Sequence, residues 1–252
     1  MLPILHIGPL AIQTPGLILM LGLWFGLLLS EKIARIEQKV DPNSIYNLAL
    51  VALIAGLVGA RLFYAALSPD IFIKEPLNLL SLNTAMLDVS GGLITSGIAS
   101  LVYAQKHKLS LWPTLDTFTP FFCVMAIAIG LAHFASGDAF GAPARLPWSI
   151  YLWGEYRHPT QLYETLLALV VAILVWPRQR NSMITGLRFL TFVILTASGR
   201  ILLETFRGDS TLIFGSLRAA QVAAWGALAF GLSLIGTRLK QAQAMTIKEE
   251  ST

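Results

Sequence analysis

Residues 115–132 read LDTFTPFFCVMAIAIGLA, and this run decides the fold class of the chain. Asp116 is its one charged residue. A helix that crosses a bilayer needs ~20 mostly apolar residues, so the run has the length and composition of a membrane span. The sequence therefore predicts an all-α integral membrane protein with about seven transmembrane helices. The other six runs lie at about 12–30, 46–67, 86–103, 160–176, 184–203 and 216–236.

The composition of the whole chain agrees with a membrane protein. The 252 residues are 55% hydrophobic and 13% charged, with a mean hydropathy of +0.68, whereas soluble domains carry about 25% charged residues. Cys123 is the single cysteine, which excludes an intrachain disulfide and, with four histidines, disfavours a structural zinc site. No nucleotide, metal or cofactor motif is recognisable, so we expect no cofactor and no metal.

The distribution of Lys and Arg predicts the orientation. Cytoplasmic segments of membrane proteins are enriched in these residues, and a net charge of +4 suits a basic face beside anionic lipid better than a nucleic-acid partner. With the N-terminus outside, ten of them fall inside and five outside. The inner ones are Lys32, Arg35, Lys39, Lys106, Lys108, Arg178, Arg180, Arg238, Lys240 and Lys248, and the outer ones are Lys74, Arg145, Arg157, Arg207 and Arg218.

This orientation predicts a simple domain organisation. We expect one multi-pass transmembrane domain over residues 1–237, with the N-terminus outside. An external loop at about 133–159 contains Trp148 and further aromatic residues suited to the membrane interface. A polar cytoplasmic tail follows at 238–252.

Polar side chains in or beside the predicted spans gather at their outer ends. An ionisable residue at the centre of a bilayer costs about 2.5–3.5 kcal/mol on insertion scales, so such residues usually mark function. Because they share one depth, we expect a site in the outer leaflet. These residues are Arg61, Asp88, Ser90, His133, Asp138, His158, Gln161, Glu164, Arg200, Glu204 and Arg207.

The sixth predicted span ends in a charged ladder. Arg200, Glu204 and Arg207 follow the spacing i, i+4, i+7, which places them on one face of a helix. Guanidinium groups grip phosphate oxygens by two-point contacts, so the ladder suits an anionic lipid headgroup. The alternative is a surface ion-pair ladder at a helix end.

Two further patterns have both a functional and a structural interpretation. Gln161 and Glu164 share a face of the fifth span with His158, although Thr160 as N-cap and Glu164 in the first turn would be ordinary capping. The pair Gly91–Gly92 directly after Ser90 predicts a loosened helix whose backbone amide faces a ligand. Close packing against another helix is the better explanation for Gly56 and Gly97, from which the Gly91–Gly92 pair differs.

Residues 157–164, RHPTQLYE, resemble the Arg-His-Pro-Ser-Gln-Leu-Tyr-Glu motif of the prolipoprotein diacylglyceryl transferases. Residues 59–61, 91–94 and 199–207 are similar to further family segments in the same order, so the resemblance covers essentially the whole chain. It implies a bacterial cytoplasmic membrane enzyme that transfers a diacylglyceryl group from phosphatidylglycerol to the lipobox cysteine thiol of a prolipoprotein. The implied partners are phosphatidylglycerol or another anionic phospholipid, the signal peptide and the bilayer, with no nucleic acid.

Several family positions hold other residues in this chain. Aligned without gaps, residues 129–141 place Gly130 where the family has a phosphatidylglycerol-binding arginine, His133 at its asparagine and Asp138 at its glutamate. Ser90 stands at the family's histidine before Gly-Gly, and Pro15 at a tyrosine. These changes favour a second hypothesis, in which the chain is a catalytically impaired relative that binds anionic lipid or lipoprotein signal peptides.

The resemblance implies roles for the charged residues. Arg200 and Arg207, assisted by Arg61, would hold the phosphate, because cations stabilise the charge of a phosphate leaving group. Glu204 and Glu164 would orient those arginines.

A third hypothesis is a small-solute transporter. It would need polar residues deep in the inner half of the spans, where Asp116 is the main candidate.

A base is also needed, because the thiolate is the nucleophile and a free cysteine has a pKa of about 8.5. His133 or His158 would take the thiol proton, since histidine titrates near neutrality. The alternative for His133 is a hydrogen bond to loop carbonyls at a helix end. The candidate catalytic residues are thus His133, His158 and Glu204, and the candidate substrate-binding residues are Arg61, Ser90, Gly91, Gly92, Asp138, Gln161, Glu164, Arg200 and Arg207.

Overall fold

The structure is a computed structural model that describes residues 4–7, 10–80, 86–176, 184–213 and 215–250. Helices occupy all seven predicted spans. A short helix and a 3-10 turn, Pro76–Leu80, follow the second span. The helices are α1 (Thr14–Glu37), α2 (Pro42–Leu67), α3 (Pro69–Lys74), α4 (Val89–Lys106), α5 (Leu111–Ser136), α6 (Thr160–Val175), α7 (Leu187–Glu204) and α8 (Ala219–Glu250).

The prediction of a purely α-helical chain is incomplete, because three antiparallel hairpins connect or precede the helices. Trp153 and Gly154 both have positive φ between β3 and β4, as a two-residue hairpin turn requires. The hairpins are β1 (Ile4–Ile7) with β2 (Leu10–Gln13), β3 (Ile150–Leu152) with β4 (Glu155–Arg157), and β5 (Leu212–Ile213) with β6 (Leu217–Arg218).

Four described helices are long and apolar enough to cross a membrane by length and composition: α1, α2, α5 and residues 219–244 of α8. α6 is apolar but has only 16 residues. α7 has 18 residues and carries charges, including Arg188 and Arg200. α8 continues to Glu250, so the described part of the predicted polar tail is helical. The protein is thus a mostly helical, multi-pass membrane protein.

Most neighbouring long helices run antiparallel, whereas α5 and α7 run parallel, as the contacts of Asp116 with Phe189 and of Phe122 with Phe192 show. Gly22 of α1 lies against Ala128 of α5, whereas Gly26 lies against Phe121, so the two helices have opposite directions. Similar contacts pair α2 with α4, α5 with α6, α6 with α7, and α7 with α8. The C-terminal ends of α5 and α7 therefore meet the N-terminal end of α6 at one end of the bundle, which we call the site end.

The opposite end contains a buried ionic network that joins α1, α5 and α7. The carboxylate of Asp116 accepts hydrogen bonds from the backbone N–H of Gly186 (2.5 Å) and of Phe189 (2.9 Å). It thereby caps α7, whose own N-cap residue is a glycine without a side chain. Asp116 has a structural role here, and a transport pathway is not needed to explain it.

Arg188 completes this network. Pro120 has no N–H, so the carbonyl oxygen of Asp116 loses its helical donor, and Arg188 Nη1 donates to that oxygen at 3.2 Å. Arg188 Nη2 also donates to Glu37 at 2.5 Å, and both side chains are more than 90% buried. The prediction that buried polar groups gather at one end is therefore incomplete.

We expect Arg188→Met to lower the midpoint of thermal unfolding in detergent sharply. Removal of one partner from a buried ion pair costs about 3–5 kcal/mol, and Lys39 Nζ, 4.0 Å from Glu37 Oε2, offsets only part of the lost charge of Arg188. The matched control is Arg35→Met, which breaks a pair whose arginine is 66% exposed and should change the midpoint little. The double variant with Glu37→Leu should recover part of the loss, and equal midpoints for wild type and Arg188→Met would contradict this role.

Candidate functional site

Glu164 is the centre of an ion-pair network at the site end. Its Oε1 accepts hydrogen bonds from Arg200 Nη1 at 2.7 Å and from Arg207 Nη1 at 3.1 Å. Its Oε2 lies 3.2 Å from Nδ1 of His133. One carboxylate on α6 therefore binds a histidine on α5 and two arginines on or just beyond α7.

Glu204 extends this network along α7. Arg200 Nη2 lies 3.1 Å from Glu204 Oε2, the i, i+4 pair that the sequence predicted. The side chains of His133 and Arg200 are each 33% exposed, whereas that of Glu204 is 2% exposed. A ligand can therefore reach the histidine and Arg200, while the glutamates lie behind them.

The predicted helical ladder is wrong in one respect. α7 ends at Glu204, and Arg207 lies in the turn that follows, so it does not share the helix face of Arg200. It reaches Glu164 because the backbone N–H of Arg207 bonds to the carbonyl oxygen of Glu204 and turns the chain back. The ion pairs also cross between helices, unlike a surface ladder on one helix.

Three residues beyond α7 complete the network. They were not predicted from the sequence. Asp209 accepts two hydrogen bonds from Arg207, from Nε and from Nη2, each at 2.9 Å. Ser210 donates to Glu204 Oε1 at 2.7 Å, and Arg218 Nη1 lies 3.4 Å from the Ser210 hydroxyl oxygen. The available signal was an acidic residue in a turn two positions after a predicted phosphate-binding arginine.

The ionic state of Arg207 follows from these contacts. Burial alone would lower the pKa of Arg207, but the hydrogen bonds to Asp209 and the charges of Asp209 and Glu164 raise it above its ordinary value. Arg207 therefore stays charged at physiological pH. The network balances three carboxylates against three arginines: Glu164, Glu204 and Asp209 against Arg200, Arg207 and Arg218.

Backbone hydrogen bonds between three loops fix the site end. The N–H of Ala142 donates to the carbonyl oxygen of Phe206 at 2.7 Å, and the N–H of Gly208 donates to that of Phe140 at 2.9 Å. The N–H of His158 donates to the carbonyl oxygen of Ala142 at 3.1 Å. The loop after α5 is thus bonded to the segments before α6 and after α7.

The polar residues at the start of α6 bind the loop after α5. Thr160 is the first residue of α6, not its N-cap, and its hydroxyl donates to the carbonyl oxygen of Ala139 at 2.5 Å. Gln161 is fully buried, and its Nε2 donates to the carbonyl oxygen of Asp138 at 2.9 Å. Asp138 thus takes part through its backbone, and the carboxylate of Glu164 pairs with neighbouring helices instead of capping its own.

His158 lies beside the network in an aromatic cluster. Its Nδ1 is 3.5 Å from the hydroxyl oxygen of Tyr163, and its ring centroid is 5.2 Å from that of Phe206. Trp148 Nε1 donates to the same hydroxyl at 2.8 Å. The two candidate histidines therefore have different surroundings, and His133 is the one paired with a carboxylate.

The remaining predicted residues lie where α2 packs against α4. Gly91 faces Phe63 and Gly92 faces Ala60, one residue before Arg61. The N–H of Gly91 donates to the Asp88 carboxylate and that of Gly92 to the Asp88 carbonyl oxygen, while Ser90 is exposed. The expectation that these glycine amides face a ligand is therefore wrong, because Asp88 uses both of them to cap a regular helix.

Gly130 lies at a close contact between α5 and α6. A Cβ atom built there would overlap the Thr165 hydroxyl oxygen and would lie 3.0 Å from the Thr165 backbone nitrogen. Gly130 is therefore required by the packing of these two helices. A long side chain has no room at this position.

Comparison with known proteins identifies the family of the chain. The family model of the prolipoprotein diacylglyceryl transferases matches residues 3–237. Proteins named phosphatidylglycerol–prolipoprotein diacylglyceryl transferase are similar to the chain in several bacteria. The one from Synechococcus elongatus is 32% identical, with 91% of this chain and 84% of that protein covered. The one from Thermosynechococcus vestitus is 30% identical, with coverage of 90% and 88%, and the one from Bacillus cytotoxicus is 28% identical, with coverage of 95% and 93%. The chain therefore belongs to the prolipoprotein diacylglyceryl transferase family.

Proposed function

We propose that this protein is a membrane transferase that moves a diacylglyceryl group from phosphatidylglycerol to the lipobox cysteine thiol of a prolipoprotein. The observation that carries the proposal is the Glu164-centred network. It joins residues of the 157–164 motif to the arginines of α7 at one end of apolar helices. The names of the bacterial relatives support the same activity.

The transfer makes two chemical demands on the site. A carbon–sulfur bond forms at the glyceryl carbon, and the bond from that carbon to a phosphate oxygen breaks. The thiol must lose its proton to become a nucleophile, and the departing phosphate gains negative charge. The site therefore needs a base beside the thiol and cations beside the phosphate.

His133 is the base that the geometry favours. The pair His133–Glu164 leaves Nε2 of the imidazole to accept the thiol proton, while the carboxylate stabilises the resulting imidazolium. The ring is partly exposed, so a thiol can approach it. His158 is the less favoured base, because its ring lies against Tyr163 and Phe206.

Arg200 is the phosphate ligand that the geometry favours. It is 33% exposed, whereas Arg207 is 12% exposed and uses Nε and Nη2 on Asp209 and Nη1 on Glu164. We assign Arg207 the role of positioning Glu164, and Glu204 the role of positioning Arg200. Arg61 and Ser90 at the α2–α4 contact are further contacts proposed for the lipid headgroup.

The alternating helix directions support the predicted topology. Helices α1, α2 and α4–α8 alternate in direction along the chain, as seven crossings require. With this number of crossings we place the N-terminus outside and the C-terminus in the cytoplasm of the bacterial inner membrane. The site end then lies in the outer leaflet. The loop between α5 and α6 exposes Trp148, Tyr151, Trp153 and Tyr156, residue types that favour the membrane interface.

The direct test is an assay with the purified protein in vesicles that contain phosphatidylglycerol and a lipobox peptide. Mass spectrometry should detect a diacylglyceryl thioether on the peptide, together with released glycerol phosphate. A peptide with serine in place of the cysteine and vesicles of pure phosphatidylcholine are the controls. Correctly folded protein that retains phosphatidylglycerol but makes no thioether would support the impaired, lipid-binding relative instead.

We expect Arg200→Ala to lower the rate of thioether formation by about 100- to 1,000-fold. The loss of one preorganised donor to developing negative charge has an effect of this size. Arg200→Lys should recover part of the rate, because lysine keeps the positive charge but cannot make the two-point contact of a planar guanidinium. Arg145→Ala, at an exposed loop arginine, is the matched control and should retain the wild-type rate. Full activity of Arg200→Ala would disprove the role assigned to Arg200.

A further inference from the structure

The guanidinium group of Arg207 donates hydrogen bonds to two different carboxylates. The two oxygens of Asp209 accept from Nε and Nη2, so one edge of the planar guanidinium is bound side-on by a single carboxylate. Such two-point contacts fix the plane of the group. Nη1, on the other edge, is directed at Glu164 Oε1.

The two carboxylate oxygens of Glu164 also have different partners. Oε1 accepts from both arginines, and Oε2 is left to His133. An arginine without a fixed plane would bind Glu164 through two nitrogens, because a two-point contact is stronger than a single one. Oε2 would then be shared between Arg207 and His133, which would weaken the hydrogen bond to the imidazole and change its direction.

We infer that Asp209 is a positioning residue that restrains Arg207 and so keeps one oxygen of Glu164 available to His133. The inference rests on the proposed function. Asp209 has this position because Gly208 is bonded to Phe140 and Ser210 to Glu204, which fixes the turn on both sides. Asp209 acts through Arg207 and does not itself contact the reacting groups.

The test is a double-mutant cycle on the full-length protein in phosphatidylglycerol vesicles, with Asp209→Asn, Arg207→Gln and the double variant. We expect Asp209→Asn to lower kcat by about 10- to 100-fold, the effect of misplacing a catalytic group. KM for phosphatidylglycerol should stay within threefold, which damage to the lipid site would not allow. The double variant should have the kcat of Arg207→Gln alone, because the effect of Asp209 passes through that arginine.

Asp70→Asn, at an exposed acid of α3, is the matched control and should leave kcat unchanged. Asp209→Glu should be closer to wild type than Asp209→Asn. A kcat of Asp209→Asn within twofold of wild type would overturn the inference, as would losses that simply multiply in the double variant.

A second readout separates this inference from the proposed function. If wild-type protein makes no thioether, the proposed function fails, and the same four proteins are compared by thermal unfolding. If the midpoint shift of the double variant differs from the sum of the two single shifts, Asp209 restrains Arg207 in a protein with another activity. Additive midpoints overturn the inference as well.

Discussion

Glu164→Gln should lower kcat for thioether formation by about 100-fold or more while leaving the binding of phosphatidylglycerol intact. General base catalysis contributes about 100- to 10,000-fold, and the glutamine can no longer stabilise an imidazolium at His133. The substitution also removes one negative charge beside Arg200 and Arg207. The network then has an excess positive charge, so we expect KM for the anionic lipid to stay the same or fall.

The measurement is a set of initial rates at several mole fractions of phosphatidylglycerol. Glu75→Gln, at an exposed carboxylate that accepts a hydrogen bond from Asn78, is the matched control and should behave as wild type. Glu164→Asp should be partly active, because it retains the charge. A raised KM with unchanged kcat for Glu164→Gln would show that the carboxylate serves lipid binding alone.

Gly130→Arg should prevent correct folding and should not increase activity, although the family has an arginine at the aligned position. The new side chain would enter the α5–α6 contact at Thr165. Overpacking alone costs about 1–3 kcal/mol, and burial of an unpaired charge adds more. We therefore expect little folded protein in size-exclusion chromatography after extraction in mild detergent.

A smaller substitution makes this prediction quantitative. Gly130→Ala should fold but unfold at a lower temperature, because its Cβ overlaps the Thr165 hydroxyl. Thr165→Ala in the same chain should recover part of the loss by removing that oxygen. Gly97→Ala is the matched control, since a Cβ there meets no atom within 4 Å. Equal unfolding midpoints for Gly130→Ala and wild type would disprove the close contact.

Much of the fold could be predicted from the sequence, because a membrane span is recognised from local composition alone. The seven apolar runs all became helices, and residues such as Glu164 and Arg200 met because neighbouring spans alternate in direction. The hairpins were missed because short strands in loops have weak local patterns. Arg207 was placed on the wrong surface because the end of α7 depends on contacts with the loop after α5.

The partners of each side chain could not be predicted in the same way. The contact of Gly130 with Thr165 needs the rotation of both helices about their axes, which apolar composition leaves open. Gly91 and Gly92 looked available for a ligand because the capping role of Asp88 was not recognised. The link between Asp116 and Arg188 joins residues that are distant along the chain, and its cause, a carbonyl freed by Pro120, is visible only in three dimensions.

That link gives the assembly of the protein in the membrane a defined order. Synthesis proceeds from the N-terminus, so Glu37 and Asp116 are made well before Arg188. Until α7 is inserted, the Glu37 carboxylate lacks Arg188, and the Asp116 carboxylate lacks the backbone N–H groups of Gly186 and Phe189. We therefore expect both acids to stay in contact with water at that stage. The arrival of α7 removes that water, so the bundle closes at this end only when its sixth long helix is in place.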